Sequence, residues 1–368
     1  MLLRWSDQRS SDLISSHVSH VVTSGQWSYG PVCREAERYL ACFHDIPGAV
    51  VTNSGTSGLW ALLARLRKPD RYDQAVIIPA FGYVAAGNVA ASLGFRIYVA
   101  DSEPSLPVVS TESVSRLMDR HVVAVVGINY FGCAVDWSRM PREEGVFLIE
   151  DAAGSFGARY CGSPLGTQAD AGIISFHTSK GVASGGEGGC ILSRDTDVLS
   201  DVLSIAKHGR DGGFYDSAML GLNLLMTDLS AEYLIDSLCA FEENLKARRA
   251  VKTHIDDICE KYMLKSSPSN SDEGTREQNH QCYLVLEPDR EYLIRLLRTG
   301  GIEAMPCWPT TLLDHAHLRT SISRMDGDAP NAQRFARLAL NLPIHPNISS
   351  AQLAHLESAL ERWRRWSG

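Results

Sequence analysis

Asp151, Ser175 and Lys180 are the residues of this chain whose types and spacing could do chemistry. They fall in one stretch, residues 146–189, which reads VFLIEDAAGSFGARYCGSPLGTQADAGIISFHTSKGVASGGEGG. A buried lysine gives up its charge near neutrality and can form a Schiff base with an aldehyde. A carboxylate converging on the same pocket can keep a heterocyclic nitrogen protonated. The aldehyde that unites the two is pyridoxal 5'-phosphate, whose ring nitrogen must hold a proton to accept electrons. Lys180 and Asp151 fit those two roles.

Such residues need elements to hold them. VFLIED and DAGIISF are short apolar runs that end abruptly in polar residues, as buried strands of a parallel or mixed sheet do. Asp151 then ends one strand, and Ser175 and Lys180 follow the end of another, on the rim where open α/β sheets bind ligands. Upstream, a short apolar run begins at AVVT, strands are expected at VIIPA, RIYVAD and VVAVVGI with helices between them, and downstream a strand is expected at GCILSRD. That alternation predicts a mostly parallel sheet covered by helices on both faces. TDVLSDVLSIAKHGRDGG reads as a helix ended by Gly209, and GLNLLMTDLSAEYLIDSLCAFEENLKARRAVKTHIDDICEKYM as one or two long helices. Residues 266–280 are polar and rich in breakers, a connection. Beyond them a strand, a helix, a strand and a last helix with Leu353, Leu356, Leu360 and Trp363 on one face predict a compact α+β unit.

Asn53, Ser54, Gly55 and Thr56 precede an apolar helix pattern. Two readings stand side by side: a phosphate cradle at a helix N-terminus, and an ordinary Ser/Thr cap. Phe81 and Tyr83 read as core aromatics from pattern alone. The glycines after Lys180 lack the GK[ST] of a nucleotide loop and suit tight backbone packing. Net charge is -8, which argues against a nucleic-acid partner. Hydrophobic residues at 44% and charged residues at 21% exclude a disordered chain. No apolar run reaches the ~20 residues of a membrane span, and the start is too polar for a signal peptide, so a cytoplasmic protein is expected. The nine cysteines show no CxxC spacing and the histidines no HExxH, so no metal site is expected.

The order EDAA, then DAG-x-x-SFH-x-x-K, then G-x-GG resembles the DegT/StrS-type sugar aminotransferases. These are pyridoxal-phosphate enzymes of aspartate aminotransferase fold, known as fold type I. The G-x-W-x-x-GP opening and the NLPIHP and GIEAMPCWP runs extend the resemblance over nearly the whole chain. It implies an N-terminal arm and helix over residues 1–30, the helix reading DLISSHVSHVVTSG, a large cofactor-binding α/β domain over 31–245 and a smaller C-terminal α+β domain over 246–368. It also implies that Gly55, Thr56 and Ser175 hold the cofactor phosphate and that Tyr83 stacks on the pyridine ring. Asn223, in a G-x-N motif, would reach the phosphate of a neighbouring subunit, making a homodimer with shared active sites. The implied reaction takes an amino group from an amino acid, L-glutamate by analogy, through pyridoxamine 5'-phosphate to a keto sugar that carries a nucleotide. Lys180 is the implied general base and acid.

Three positions depart from the family pattern. The Gln or His that commonly follows EDAA is Gly154, the Asn after the lysine is Gly181, and the Arg after G-x-N is replaced by Leu225. Losing that arginine removes a bidentate anion donor, so donor or nucleotide would be held differently. A keto cyclitol or a non-sugar substrate, and a reaction other than transamination, therefore stay open. Relatives that dehydrate sugars replace the lysine with histidine, which Lys180 counts against. A catalytically silent regulatory relative is a third class, opposed by the intact Asp151 and Lys180.

Overall fold

The computed structural model describes residues 1–7, 11–12, 14–210, 213, 215–271 and 274–367. Eight strands form one sheet in the order Gly48–Thr52, Gly189–Ser193, Ala171–Ser175, Phe147–Asp151, Val122–Ile128, Ala75–Pro79, Arg96–Ala100 and Ile322–Met325. Gly189–Ser193 runs opposite to the other seven strands of this sheet. The strands are short and, at the sheet centre, buried on both faces: Val125, Val126, Ile149 and Ile191 are all fully enclosed. Two-sided burial explains why these runs are continuously apolar and not alternating. The expected α/β fold of mostly parallel strands under helices is what forms.

Helix Gly55–Leu66 buries Leu59, Leu62 and Leu63 against the sheet, and helix Thr196–Ala206 covers the same face with Val198, Val202 and Ile205. On the other face Pro31–His44 and Asp228–Cys239 contribute Cys33, Leu40, Leu234 and Leu238. Two expected boundaries move. Thr196–Ala206 stops short of Gly209 because the chain turns back at Lys207, where Leu222 N–H reaches Ile205 O. GLNLLMT is not helical. Its Asn223 bridges Lys207 and its Leu225 bridges Thr52, so helix begins only after Thr227, whose hydroxyl accepts the Ser230 N–H as a cap. Asp211 and Gly212 in one expected helix end, Leu13 in the expected first helix, and Asp272 and Glu273 in the expected connection lie outside the described residues.

Tyr283–Leu286, Ala339–Leu342 and Met305–Pro306 make a small antiparallel sheet. Helices Arg290–Thr299, Ser350–Ser367 and the end of Phe241–Lys261 pack on it around Ile255, Leu293, Leu297, Leu356 and Leu360. Leu3 is buried in that cluster, bridged to Ile302, so the first residues of the chain are tied to the last third. The strand Ile322–Met325, late in the sequence, lies parallel beside Arg96–Ala100 and extends the large sheet.

Candidate active site

Asp151 is the last residue of its strand and 8% exposed. Its Oδ1 accepts the Ala153 N–H at 3.0 Å, and its carbonyl accepts the Asn129 N–H at 2.9 Å, which ties the carboxylate to the turn leaving the neighbouring strand. Lys180 sits in a turn closed by its own N–H to His177 O at 2.8 Å. Burial raises the Asp151 pKa, opposed by the Ala153 N–H and the Lys180 charge. Burial lowers the Lys180 pKa, opposed by Cys282 and Asp151. An amine biased toward its neutral form and facing a carboxylate is prepared for nucleophilic and proton-transfer work.

Both residues line a cleft of about 920 Å³, as do Gly55, Thr56, Tyr83 and Ser175. Ser54 caps helix Gly55–Leu66 by accepting the Ser57 N–H at 3.1 Å, so the cap reading holds. It leaves the earlier N–H groups of Gly55 and Thr56 at the positive end of the helix dipole, where an anion is favoured. The two readings of this segment are compatible. A Cβ at Gly189 would lie 2.4 Å from Gly55 N, and one at Gly55 would lie 3.1 Å from the Ser175 Cβ. Only glycines let the helix start approach the strand end so closely, and the result is a backbone-lined cradle with a serine beside it. With a carboxylate and an amine across the same cleft, this donor set fits a phosphorylated pyridine aldehyde.

The glycines after Lys180 serve packing: a Cβ at Gly188 would lie 2.3 Å from Ser184 Oγ and one at Gly185 2.7 Å from the Tyr233 ring. Tyr83 lines the cleft with 62% of its surface exposed. Asn223 is outside the cleft lining; its carbonyl accepts from Asn53 Nδ2 at 3.4 Å. His177 forms part of the wall, its Nδ1 2.8 Å from Ser179 Oγ and its Nε2 3.5 Å from Glu187.

Phe131 and Trp308 are cleft residues that pattern reading passed over. Their rings stack with centroids 5.7 Å apart, and Lys180 Nζ lies 5.1 Å from the Phe131 centroid. Phe131 follows the Val122–Ile128 strand in a tight turn at φ 42°, held by the Gly132 N–H to Ser155 Oγ at 2.9 Å. The signal available was its place just past a strand's carboxyl end. Trp5 reaches the cleft from the N-terminal segment, its N–H donating to Glu303 Oε2 at 2.8 Å. No sequence period announces that contact. Among the described residues no cluster of His, Cys, Asp or Glu could hold a metal ion.

The sequence model of the DegT/DnrJ/EryC1/StrS aminotransferase family matches residues 9–361. The chain is 26% identical to a UDP-2-acetamido-2-deoxy-3-oxo-D-glucuronate aminotransferase of Pseudomonas aeruginosa, covering 96% of both chains. It is 29% identical to an L-glutamine:2-deoxy-scyllo-inosose aminotransferase of Streptomyces fradiae, over 81% of this chain and 72% of that one. The fold superimposes on the crystal structure of an aminotransferase, TlmJ, from Streptoalloteichus hindustanus with a TM-score of 0.90 at 22% identity, covering 100% of this chain and 99% of the other. The chain belongs to the DegT/DnrJ/EryC1/StrS aminotransferase family and is a pyridoxal-phosphate-dependent aminotransferase.

Proposed function

We propose that this enzyme moves an amino group from an amino acid, L-glutamate, to a nucleotide-linked keto sugar in amino-sugar or secondary-metabolite biosynthesis. The observation that carries the reading is the cleft itself, where Asp151 and Lys180 influence each other's protonation beside an open aromatic wall of Phe131, Trp308 and Tyr83. Sugar rings stack their C–H faces on such aromatic surfaces. A volume of about 920 Å³ also leaves room for a large acceptor beside the cofactor.

Pyridoxal phosphate, when bound, supplies an electron sink that makes the carbon next to the transferred amine acidic. The first-turn N–H groups of Gly55 and Thr56, with the Ser175 hydroxyl, hold its phosphate. Asp151 would pair with the ring nitrogen and favour the proton there. Lys180 would hold the cofactor at its aldehyde carbon, and its amine, when free, would move a proton between the donor's α-carbon and that same cofactor carbon, and in the reverse sense in the acceptor half. Tyr83 and Phe131 limit ring movement.

The homodimer is part of the same reading. Tyr215, Met219, Leu220 and Leu222 are exposed on the segment that leads to Asn223, an apolar group suited to burial against a second copy. Asn223 then completes the partner's phosphate site. All nine cysteines are free thiols, the state a reducing cytoplasm maintains, and no helix among the described residues is long and apolar enough to cross a membrane.

The Streptomyces fradiae relative, named for a cyclitol ketone, supports a second reading in which the acceptor is a keto cyclitol. Incubating the cofactor-loaded enzyme and L-glutamate with nucleotide-linked keto sugars and with keto cyclitols separates the two. Amination of the cyclitols alone overturns the first reading.

A further inference from the structure

Arg248 is a buried cation with no ion-pair partner among the described residues. It is 5% exposed, and among the described residues its Nε and Nη1 have no hydrogen-bond partner. Among the described residues its one hydrogen bond is a long one, Nη2 to Gly181 O at 3.5 Å. Burial drives its pKa down to about 10, with only the Cys282 thiol acting the other way. Leaving a guanidinium in this condition is costly unless something anionic visits it.

The guanidinium stands directly behind the catalytic turn. A Cβ on Gly181, the residue after Lys180, would lie 2.5 Å from Arg248 Nη1 and 2.9 Å from Gln281 Oε1. Gln281 clasps the same turn, its amide donating to Ser179 O at 2.6 Å and its oxygen accepting the Gly181 N–H. Arg248 lines a small cavity of about 50 Å³ whose polar walls come from Asp7, which has a partner of its own, and from Ser237, Asn244, Gln281, His345 and Asn347. That volume holds a few waters or one small planar group. Trp5, Ser179 and Gln281 line both this cavity and the main cleft, so the two spaces share a wall beside Lys180.

We infer that Arg248 and this cavity form a carboxylate-binding subsite, whose occupant is a carboxylate of the amino donor held beside the Lys180 turn. A guanidinium that lines a small polar cavity can bind a carboxylate there through a charge-assisted hydrogen bond, and Ser237 and Asn244 add neutral donors. The inference rests on the amino-acid-donor reading above. A free small carboxylate offers the same chemistry, so the test must tell the two sources apart.

The test uses the cofactor-loaded enzyme and acetate as the probe, against chloride at equal ionic strength. Acetate is expected to raise the melting temperature of the wild type, and neither acetate nor chloride that of Arg248→Met. In steady state, Arg248→Lys is expected to raise the donor KM on the order of 30-fold or more while kcat changes little. Acetate competing with the donor identifies the donor's carboxylate as occupant. Stabilisation without competition overturns that assignment in favour of a free carboxylate. Equal shifts with chloride, an acetate shift that survives in Arg248→Met, or no shift in the wild type overturns the subsite itself. If Arg248→Met does not fold, the lysine variant carries the test, and an undiminished acetate shift there also overturns it. Because melting reads binding alone, a wild type that transfers no amino group yet responds to acetate would sink the functional reading and leave the subsite standing.

Discussion

The ring of Phe131 occupies the space that a side chain at Gly154 would need: an ideal Cβ there lies 2.4 Å from Phe131 Cδ1 and 2.8 Å from Cε1. The glycine after EDAA and the phenylalanine on the neighbouring turn are two halves of one packing solution. The space that a side chain at residue 154 would fill is here walled by an aromatic face from residue 131. Gly154→Ala is therefore expected to push the ring aside, costing about 1–3 kcal/mol in stability by overpacking. Adding Phe131→Ala should restore part of that loss. Urea denaturation of the two single variants and the double variant measures the coupling, and strict additivity would contradict the packing relation.

Lys180→Ala should remove turnover by a factor on the order of 10⁴ or more, since in the proposed reading the amine is both anchor and proton carrier. The visible absorbance that the cofactor takes on when bound covalently should vanish with it. Loss of activity with that absorbance intact would argue for another anchoring residue.

Asp151→Asn should keep the fold, because the amide oxygen can still accept the Ala153 N–H. The cofactor should remain bound, more weakly, and turnover should fall on the order of 10²- to 10³-fold as the ring nitrogen loses its charged partner. Single-turnover mixing with deuterated donor checks whether proton removal is the step that slows.

Glu150, fully buried one residue before Asp151, points to the opposite face of the strand, where it accepts from Asn129 Nδ2 at 2.6 Å and Gln168 N at 2.8 Å. Burial raises its pKa to about 7, against the lowering effect of the hydrogen bonds. The folded state thus binds this proton more tightly than the unfolded chain does. Stability should fall as pH rises from about 4.5 to about 7, by on the order of 3 kcal/mol for this group. Asp151, also raised by burial, adds to the slope. Glu150→Gln should flatten most of it, whatever it does to absolute stability, and denaturation midpoints taken across that pH range test this.

Leu220 is 61% exposed and Leu222 45%, on the segment that carries Asn223. Leu220→Asp should convert the proposed dimer into a monomer with little activity, read by sedimentation and by turnover on the same sample. A monomeric wild type with full activity would contradict the shared site.

The buried strands could be read directly because each is a short apolar run cut off by Asp151, Ser175 or a turn residue. Two-sided burial leaves no alternation to misjudge. The cradle at Gly55 was legible for a similar local reason: the cap and the glycine are neighbours in sequence. What could not be read depends on contacts between distant segments. Phe131 lies in a stretch that looks irregular, and its role comes from Gly154 and Lys180 across two other strands. Trp5 enters the cleft only because Leu3 is pinned beside Ile302. Arg248 has the spacing of an ordinary helix position in KARRAV, and its burial against Gly181 follows from how helix Phe241–Lys261 meets the catalytic turn. GLNLLMT had helical composition, yet pairing with Lys207 and with Thr52 at its strand end overrode it.

Reduction of the cofactor-loaded enzyme with borohydride, followed by peptide mapping, tests the central claim most directly. The account predicts one pyridoxyl label, on Lys180. A label on any other residue, or none, would contradict it.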